Sequence, residues 1–261
     1  MILQEQDIAT IIYRSKNMVL LEAKNIKKKY DNKVIIEDIN INLCKGELVS
    51  LLGVSGGGKT TLFHVLSGLS IPESGQVMLG GSDITGEPGH ISYMLQKDML
   101  LNHKKLVDNV ALPLMLSGIS KREAREKAAS YFDTFGLAGC EYKYPSQLSG
   151  GMRQRAALLR TYLCGNDVIL LDEPFSALDA ITKAELHDWF LEIMEQIGLS
   201  ALFITHDIDE GIMLSDRIYI LSGTPGHITK EIKIDYPKPR HREFNLTDEF
   251  LRYKREIYQA L

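Results

Sequence analysis

Leu48-Val49-Ser50-Leu51-Leu52-Gly53-Val54-Ser55-Gly56-Gly57-Gly58-Lys59-Thr60-Thr61 is the stretch that decides the fold. A mostly apolar run enters the pattern G-x-x-x-x-G-K-[ST], from Gly53 to Thr60. Leu62, Val65 and Leu66 then recur at helical spacing. Strand, glycine loop and helix form the context that a phosphate-binding loop requires. In such a loop successive backbone N–H groups point inward around an anion at a helix N-terminus. Gly53, Gly56, Gly57 and Gly58 allow the tight path around Ser55 and a close approach of phosphate. Lys59 brings a point charge to the β- and γ-phosphates. The Thr60 hydroxyl suits Mg²⁺, and Thr61 can reach a further phosphate oxygen. The stretch therefore predicts a nucleoside triphosphate with Mg²⁺.

Three more short apolar runs end on polar residues. Ile91 to Leu95 ends at Gln96, Val168 to Leu171 at Asp172, and Ala201 to Thr205 at His206. Such runs suit strands buried on both faces of a parallel sheet. Ligands of open α/β sheets sit outside the carboxyl ends of the strands. Four polar strand ends thus predict one convergent site. Asp172 and Glu173 are costly at the end of a buried strand unless they meet a cation or serve a reaction. Asp172 is read as a Mg²⁺ ligand, and Glu173 as the group that orients or deprotonates the attacking water. Alone, such an Asp-Glu pair would more simply be two solvated acids.

Ser149-Gly150-Gly151 precedes a helical pattern through Met152, Ala156, Leu159 and Leu163. Its amides and the Ser149 hydroxyl make a second anion site at a helix N-terminus. A plain N-cap explains Ser149 locally just as well. With one triphosphate per chain and two sites of this kind, a head-to-tail homodimer with two-fold symmetry is the economical arrangement. The Ser149 site of one subunit would close on the triphosphate held by the other.

The rest of the chain is organised around these sites. Residues 1–17 carry no clear pattern and are expected to form a disordered extension, dispensable for stability and activity, with either Met1 or Met18 as the start. Residues 18–261 read as one ATPase domain of α/β class: a P-loop NTPase core with a mostly parallel sheet. An antiparallel β subdomain is expected around Val34–Leu43. About 97–160 reads as an inserted α-helical subdomain, in which the capping box Ser120–Glu123 opens a helix that Gly136 ends. A second box, Thr182–Glu185, opens a helix ended by Gly198. About 217–261 reads as a C-terminal hairpin and a helix carrying Phe250, Tyr253, Ile257 and Leu261.

A net charge of -4 gives no basic field that would attract nucleic acid. Cys44, Cys140 and Cys164 are odd in number and follow no metal spacing, so buried thiols in a reducing compartment are expected. Met1 to Thr10 lacks the basic start of a secretory signal. No apolar run reaches the length of a membrane span. Any membrane role is therefore expected to run through a separate subunit.

The string Leu148-Ser149-Gly150-Gly151-Met152-Arg153-Gln154-Arg155, downstream of the P-loop and just before Val168–Glu173, resembles the nucleotide-binding subunits of ABC transporters. The resemblance runs from about residue 19 to the end. It implies an ATPase whose dimer closes on ATP and opens on hydrolysis. Tyr30 then matches the aromatic that stacks on adenine, and Gln96 the glutamine that senses Mg²⁺ and links to the membrane subunit. Ser176-Ala177-Leu178-Asp179 resembles the loop that crosses the dimer interface, and His206 the switch histidine at the γ-phosphate. Implied partners are integral membrane permease subunits contacting Gln96–Leu101 and, indirectly, an extracytoplasmic solute-binding protein. The implied location is the cytoplasmic face of the membrane. Ser176–Ala180, Ser222–Ile228 and Pro237–Arg242 are similar to importers of nitrate, sulfonate, taurine and thiamine precursors. Where relatives carry Pro-Trp, this chain has Asn102-His103 after Leu100-Leu101. A soluble non-transport ABC ATPase or an exporter subunit are the alternative readings. A P-loop kinase or GTPase would leave Leu148–Gln154 unexplained.

Overall fold

The computed structural model describes residues 18–176, 180–238, 240 and 242–261. Asp179 and the N-terminal extension 1–17 lie outside the described residues. Two sheets carry the chain. The first is antiparallel: β1 (Val19–Tyr30) pairs with β2 (Lys33–Cys44) and with β4 (Ser74–Leu79), which continues to the two-residue β5 (Ser82–Asp83). The runs Val34–Ile36 and Ile39–Leu43 thus belong to one strand, with Asp31 and Asn32 turning the chain in positive φ.

The second sheet has six strands in the order β10-β9-β3-β8-β7-β6. Its parallel part comprises β3 (Leu48–Gly53), β6 (Ser92–Met94), β7 (Val168–Asp172), β8 (Ser200–Thr205) and β9 (Arg217–Ser222). The last strand, β10 (His227–Lys233), adds antiparallel to β9 as the predicted hairpin. Every residue of β3, β7 and β8 is buried, as strands covered on both faces must be. One apolar core lies between the two sheets, around Ile36, Leu51, Phe63 and Leu170. Another joins the opposite face to the helical segment, through Phe132, Leu159, Leu171 and Phe190.

The helices are α1 (Lys59–Leu66), α2 (Leu106–Val110), α3 (Leu112–Leu116), α4 (Lys121–Ala129), α5 (Gly150–Tyr162), α6 (Ala180–Ile197), α7 (Ile208–Leu214) and α8 (Asp248–Tyr258). Ser120 caps α4 by accepting from the Glu123 N–H at 3.4 Å, and its hydroxyl donates to the Glu123 carboxylate at 2.6 Å. The helix stops at Ala129, before Gly136; turns carry Phe132 and Phe135 into the core. Ser130 takes the C-cap, where a short polar side chain bonds the Lys127 carbonyl instead of extending the helix. The helix expected from Thr182 begins at Ala180 and ends before Gly198, whose φ is +63°. Thr247 caps α8, which buries Phe250, Tyr253 and Ile257 against β9, β10 and α7. Leu261 stays partly exposed beyond it. Of the three thiols, Cys140 is buried, Cys44 half-buried and Cys164 exposed, which corrects the expectation for Cys164. No helix among the described residues is long and apolar enough to cross a membrane.

Candidate functional site

Register brings the predicted residues into one row. Leu52 pairs with Thr205, Asp172 with Ile204, and Met94 with Leu171. The residues that follow these positions, Gly53, His206, Glu173 and Gln96, therefore emerge together at the carboxyl edge of the sheet.

The loop after β3 turns on Gly56 and Gly58, at φ +79° and +101°. A side chain at Gly58 would also overlap Ile36, so both the backbone and the space require glycine here. Lys59 opens α1 with its side chain buried, and its ammonium donates to the Gly53 and Val54 carbonyls at 2.7 and 2.9 Å. Burial pushes the Lys59 ammonium below its ordinary range, against the pull of Glu173 and Asp172.

Asp172 accepts from the Thr60 hydroxyl and from the Tyr93 hydroxyl, both at 3.2 Å. Burial raises its carboxyl above the ordinary range despite those two hydrogen bonds, and Glu173 next door adds to the rise. Burial likewise raises the Tyr93 phenol, with Asp172 second. Thr60 and Asp172 are two hard oxygen donors side by side, and a buried carboxylate whose ionised form is disfavoured gains from a cation. The pair fits Mg²⁺.

Glu173 adopts φ +48°, which is uncommon for a residue with a side chain. Its N–H still donates to Ile204 at 3.0 Å. From this bend one carboxylate oxygen accepts from Gln96 Nε2 at 2.9 Å, and the other lies 3.2 Å from His206 Nδ1. Three strand ends thus meet on one carboxylate. Tyr30 is nearly half exposed at the end of β1, its hydroxyl 3.4 Å from Ser70 Oγ and the Lys28 ammonium 5.1 Å from its ring centre. A cleft of about 460 Å³ runs between Gly53–Ser55, His206–Asp209 and the end of α8.

Ser149 caps α5 in extended backbone, its hydroxyl accepting from Met152 N–H at 3.3 Å. Ser149 is exposed, Gly150 half-buried and Gly151 buried at this helix start, whose first N–H groups have no partner within the helix. The same helix grips the segment after Gln96. Arg153 pairs with Asp98 at 3.3 Å, and Arg160 donates to the Asp98 and Met99 carbonyls at 2.5 and 2.8 Å. Within Gln96–Leu101 the apolar residues divide between core and surface. Leu100 is buried in the core, because the turn at Met99, φ +49°, points it inward. Met99 remains exposed.

Sequence reasoning missed Tyr93. It sits inside β6, but a phenol within an apolar run that ends at the site was the available signal. It gave no role to Lys183, inside the expected box Thr182–Glu185, or to Glu210, which pair with each other behind His206.

Comparison with known proteins places these features in context. The family model described as "ABC transporter" matches residues 36–176. The chain is similar to the formylaminopyrimidine import ATP-binding protein ThiZ of Halalkalibacterium halodurans, at 40% identity over 82% of this chain and 83% of that one. It is also similar to the nitrate import ATP-binding protein NrtD of Synechocystis sp., at 36% identity over 89% and 90%. A dimeric ATP-binding cassette solved in a post-hydrolysis state with ADP and Pi superposes with a TM-score of 0.71 and 28% identity, covering 84% of this chain and all of that one.

Proposed function

The chain belongs to the ABC transporter family and is an ATPase; from that premise we propose that it is the ATP-hydrolysing subunit of an importer for a small solute, of the nitrate, sulfonate, taurine or thiamine-precursor kind. The observation that carries the reading is Glu173 at the meeting point of β6, β7 and β8, held by Gln96 and His206. The import names of its relatives favour this direction over export.

In the proposed mechanism the glycine loop wraps the β- and γ-phosphates with its N–H groups, and Lys59 leaves the Gly53 and Val54 carbonyls to neutralise them. Thr60 and Asp172, with Gln96 nearby, would hold Mg²⁺, which would neutralise charge on the triphosphate. Tyr30 offers its ring to adenine. Glu173 holds the water for in-line attack and takes its proton, while Gln96 fixes the carboxylate and His206 bonds the γ-phosphate. Ser149, Gly150 and Gly151 of a second copy close the other side of the triphosphate. Met99 and its neighbours in Gln96–Leu101, gripped by α5, pass the closure to permease subunits at the cytoplasmic face of the membrane, with a solute-binding protein on the far side.

Ser149→Arg tests the two-copy site. The variant should still bind ATP through Lys59 but lose dimer closure and hydrolysis. Mixed with Lys59→Ala protein, it should regain at most one working site per dimer. Loss of ATP binding by the Ser149→Arg monomer would contradict the arrangement.

A further inference from the structure

Behind His206 lies a charged network that the hydrolysis described above does not use. Glu210 is 3% exposed. One of its carboxylate oxygens meets the Lys183 ammonium at 2.6 Å and His187 Nε2 at 3.5 Å. The other accepts from the Thr205 hydroxyl at 2.6 Å. Lys183 also reaches the Asp207 carboxylate at 3.0 Å. The second Asp207 oxygen caps α7, accepting from the Asp209 and Glu210 N–H groups at 3.0 and 3.2 Å. The Asp207 N–H donates back to Thr205 Oγ1 at 3.0 Å.

The residues on either side of His206 are therefore tied to one ammonium and one buried carboxylate. Burial opposes every charge in this group, yet the partners win. The nearby His187 and Lys183 nitrogens and the Thr205 hydroxyl bond hold the Glu210 carboxyl below its ordinary range. The Lys183 bond and the α7 N–H groups do the same for Asp207. The two carboxylates in turn raise Lys183 against its own burial. The His206 ring meets the Glu173 carboxylate at 3.2 Å but none of the groups of this network. Its side chain is 55% exposed and stands at a strand end before a helix of seven residues. The backbone of Thr205–Asp207 sets where its ring points.

We propose that Lys183, acting with Glu210, is a positioning residue for His206: it clamps Thr205 and Asp207 so that the ring is presented to Glu173 and to the γ-phosphate. This rests on the reading of His206 as a γ-phosphate contact. Removing the ammonium leaves the Asp207 and Glu210 carboxylates facing each other, and one of them must move or take a proton. The segment between them carries His206 with it. A displacement of about 1 Å in a reacting group costs about 100-fold in rate.

The test is steady-state hydrolysis of Mg²⁺–ATP by the full chain. Lys183→Met should lower kcat about 100-fold and shift KM less than about threefold, because binding through the glycine loop is untouched. Lys183→Arg keeps the charge and should recover kcat to within about fivefold. In a His206→Ala background Lys183→Met should cost less than about threefold more, since the two act as one unit. A purely structural lysine would lower Tm while leaving kcat per folded molecule near the wild-type value, and any loss of rate would add in full to that of His206→Ala. Should Lys183→Met fail to fold, Asp207→Asn keeps the cap acceptor, loses the charged tie and carries the same expectations. Wild-type kcat in Lys183→Met, or full additivity with His206→Ala, overturns the proposal. Wild-type kcat in His206→Ala overturns the reading of the histidine itself, and the proposal with it.

Discussion

The two ends of the six-stranded sheet handle buried charge in opposite ways. At the starting ends of β3 and β9, Arg217 meets both oxygens of Glu47, at 2.5 and 2.9 Å. It also bonds Glu231, the Tyr219 hydroxyl and Asn42. Although burial works against the guanidinium, Glu47 and Glu231 raise it well above its ordinary range. Nearby, Arg240 is 2% exposed and spends its donors on the carbonyls of Ile212, Met213, Ser215, Ile234 and Tyr236. At the carboxyl ends the signs reverse. Burial lowers Lys59 and raises Asp172, so the fold disfavours the charged form of each. Burial alone therefore does not separate a structural charge from a functional one. A charged partner makes the difference at Arg217, where Glu47 and Glu231 outweigh burial; at Arg240, Lys59 and Asp172 burial prevails, and only Arg240 has all its donors spent on carbonyls of the fold.

Removing a charge should accordingly harm one end and help the other. The larger effect on stability belongs to Arg217→Met, which strands Glu47 and should cost about 3 kcal/mol. Denaturant unfolding measures it, and hydrolysis per folded molecule should stay within about twofold, as expected of a group remote from the site. A loss below about 1 kcal/mol would erase the contrast, since that is the worth of an exposed pair.

Asp172→Asn should act in the other direction. The amide keeps an acceptor for Thr60 and Tyr93 but carries no charge, so Tm should rise at neutral pH while hydrolysis collapses. Relief of this kind typically amounts to about 0.5–2 kcal/mol, or about 2–4 °C per kcal/mol for a chain of this size. The pH dependence follows from the raised carboxyl. Its folded pKa lies above the unfolded value, so the stability present in acid is lost as pH rises through the folded pKa. The gain of the variant over wild type should thus be absent below the ordinary carboxylate range and complete above the raised pKa. A Tm that falls at neutral pH would place Asp172 with the structural charges.

The same contrast explains what the sequence disclosed. The glycine loop, Asp172, Glu173 and His206 follow buried runs and so stand at strand ends by position alone. The C-terminal hairpin and the helix carrying Phe250, Tyr253 and Ile257 are equally local. What stayed hidden depends on distant pairs. Glu47 and Arg217 are 170 residues apart, Tyr93 and Asp172 are 79, and each looks like an ordinary polar residue along the chain. Which of Met99 and Leu100 is buried could not be read along the chain, because the positive φ of Met99 decides it and methionine gives no hint of that bend. Lys183 looked like a helix-surface lysine beside Thr182 and Glu185. Only the packing of α6 against Asp207 and Glu210 gives it a role.

The central claim is that Glu173 turns over ATP at the charged end of the sheet, and Glu173→Gln tests it most directly. The amide can hold a water but cannot take its proton. ATP hydrolysis should fall by about two to four decades, the range for loss of a general base. ATP binding should persist, and light scattering should show the protein accumulating as an ATP-bound dimer. Turnover near the wild-type rate, or a protein that stays monomeric with ATP bound, would contradict the account.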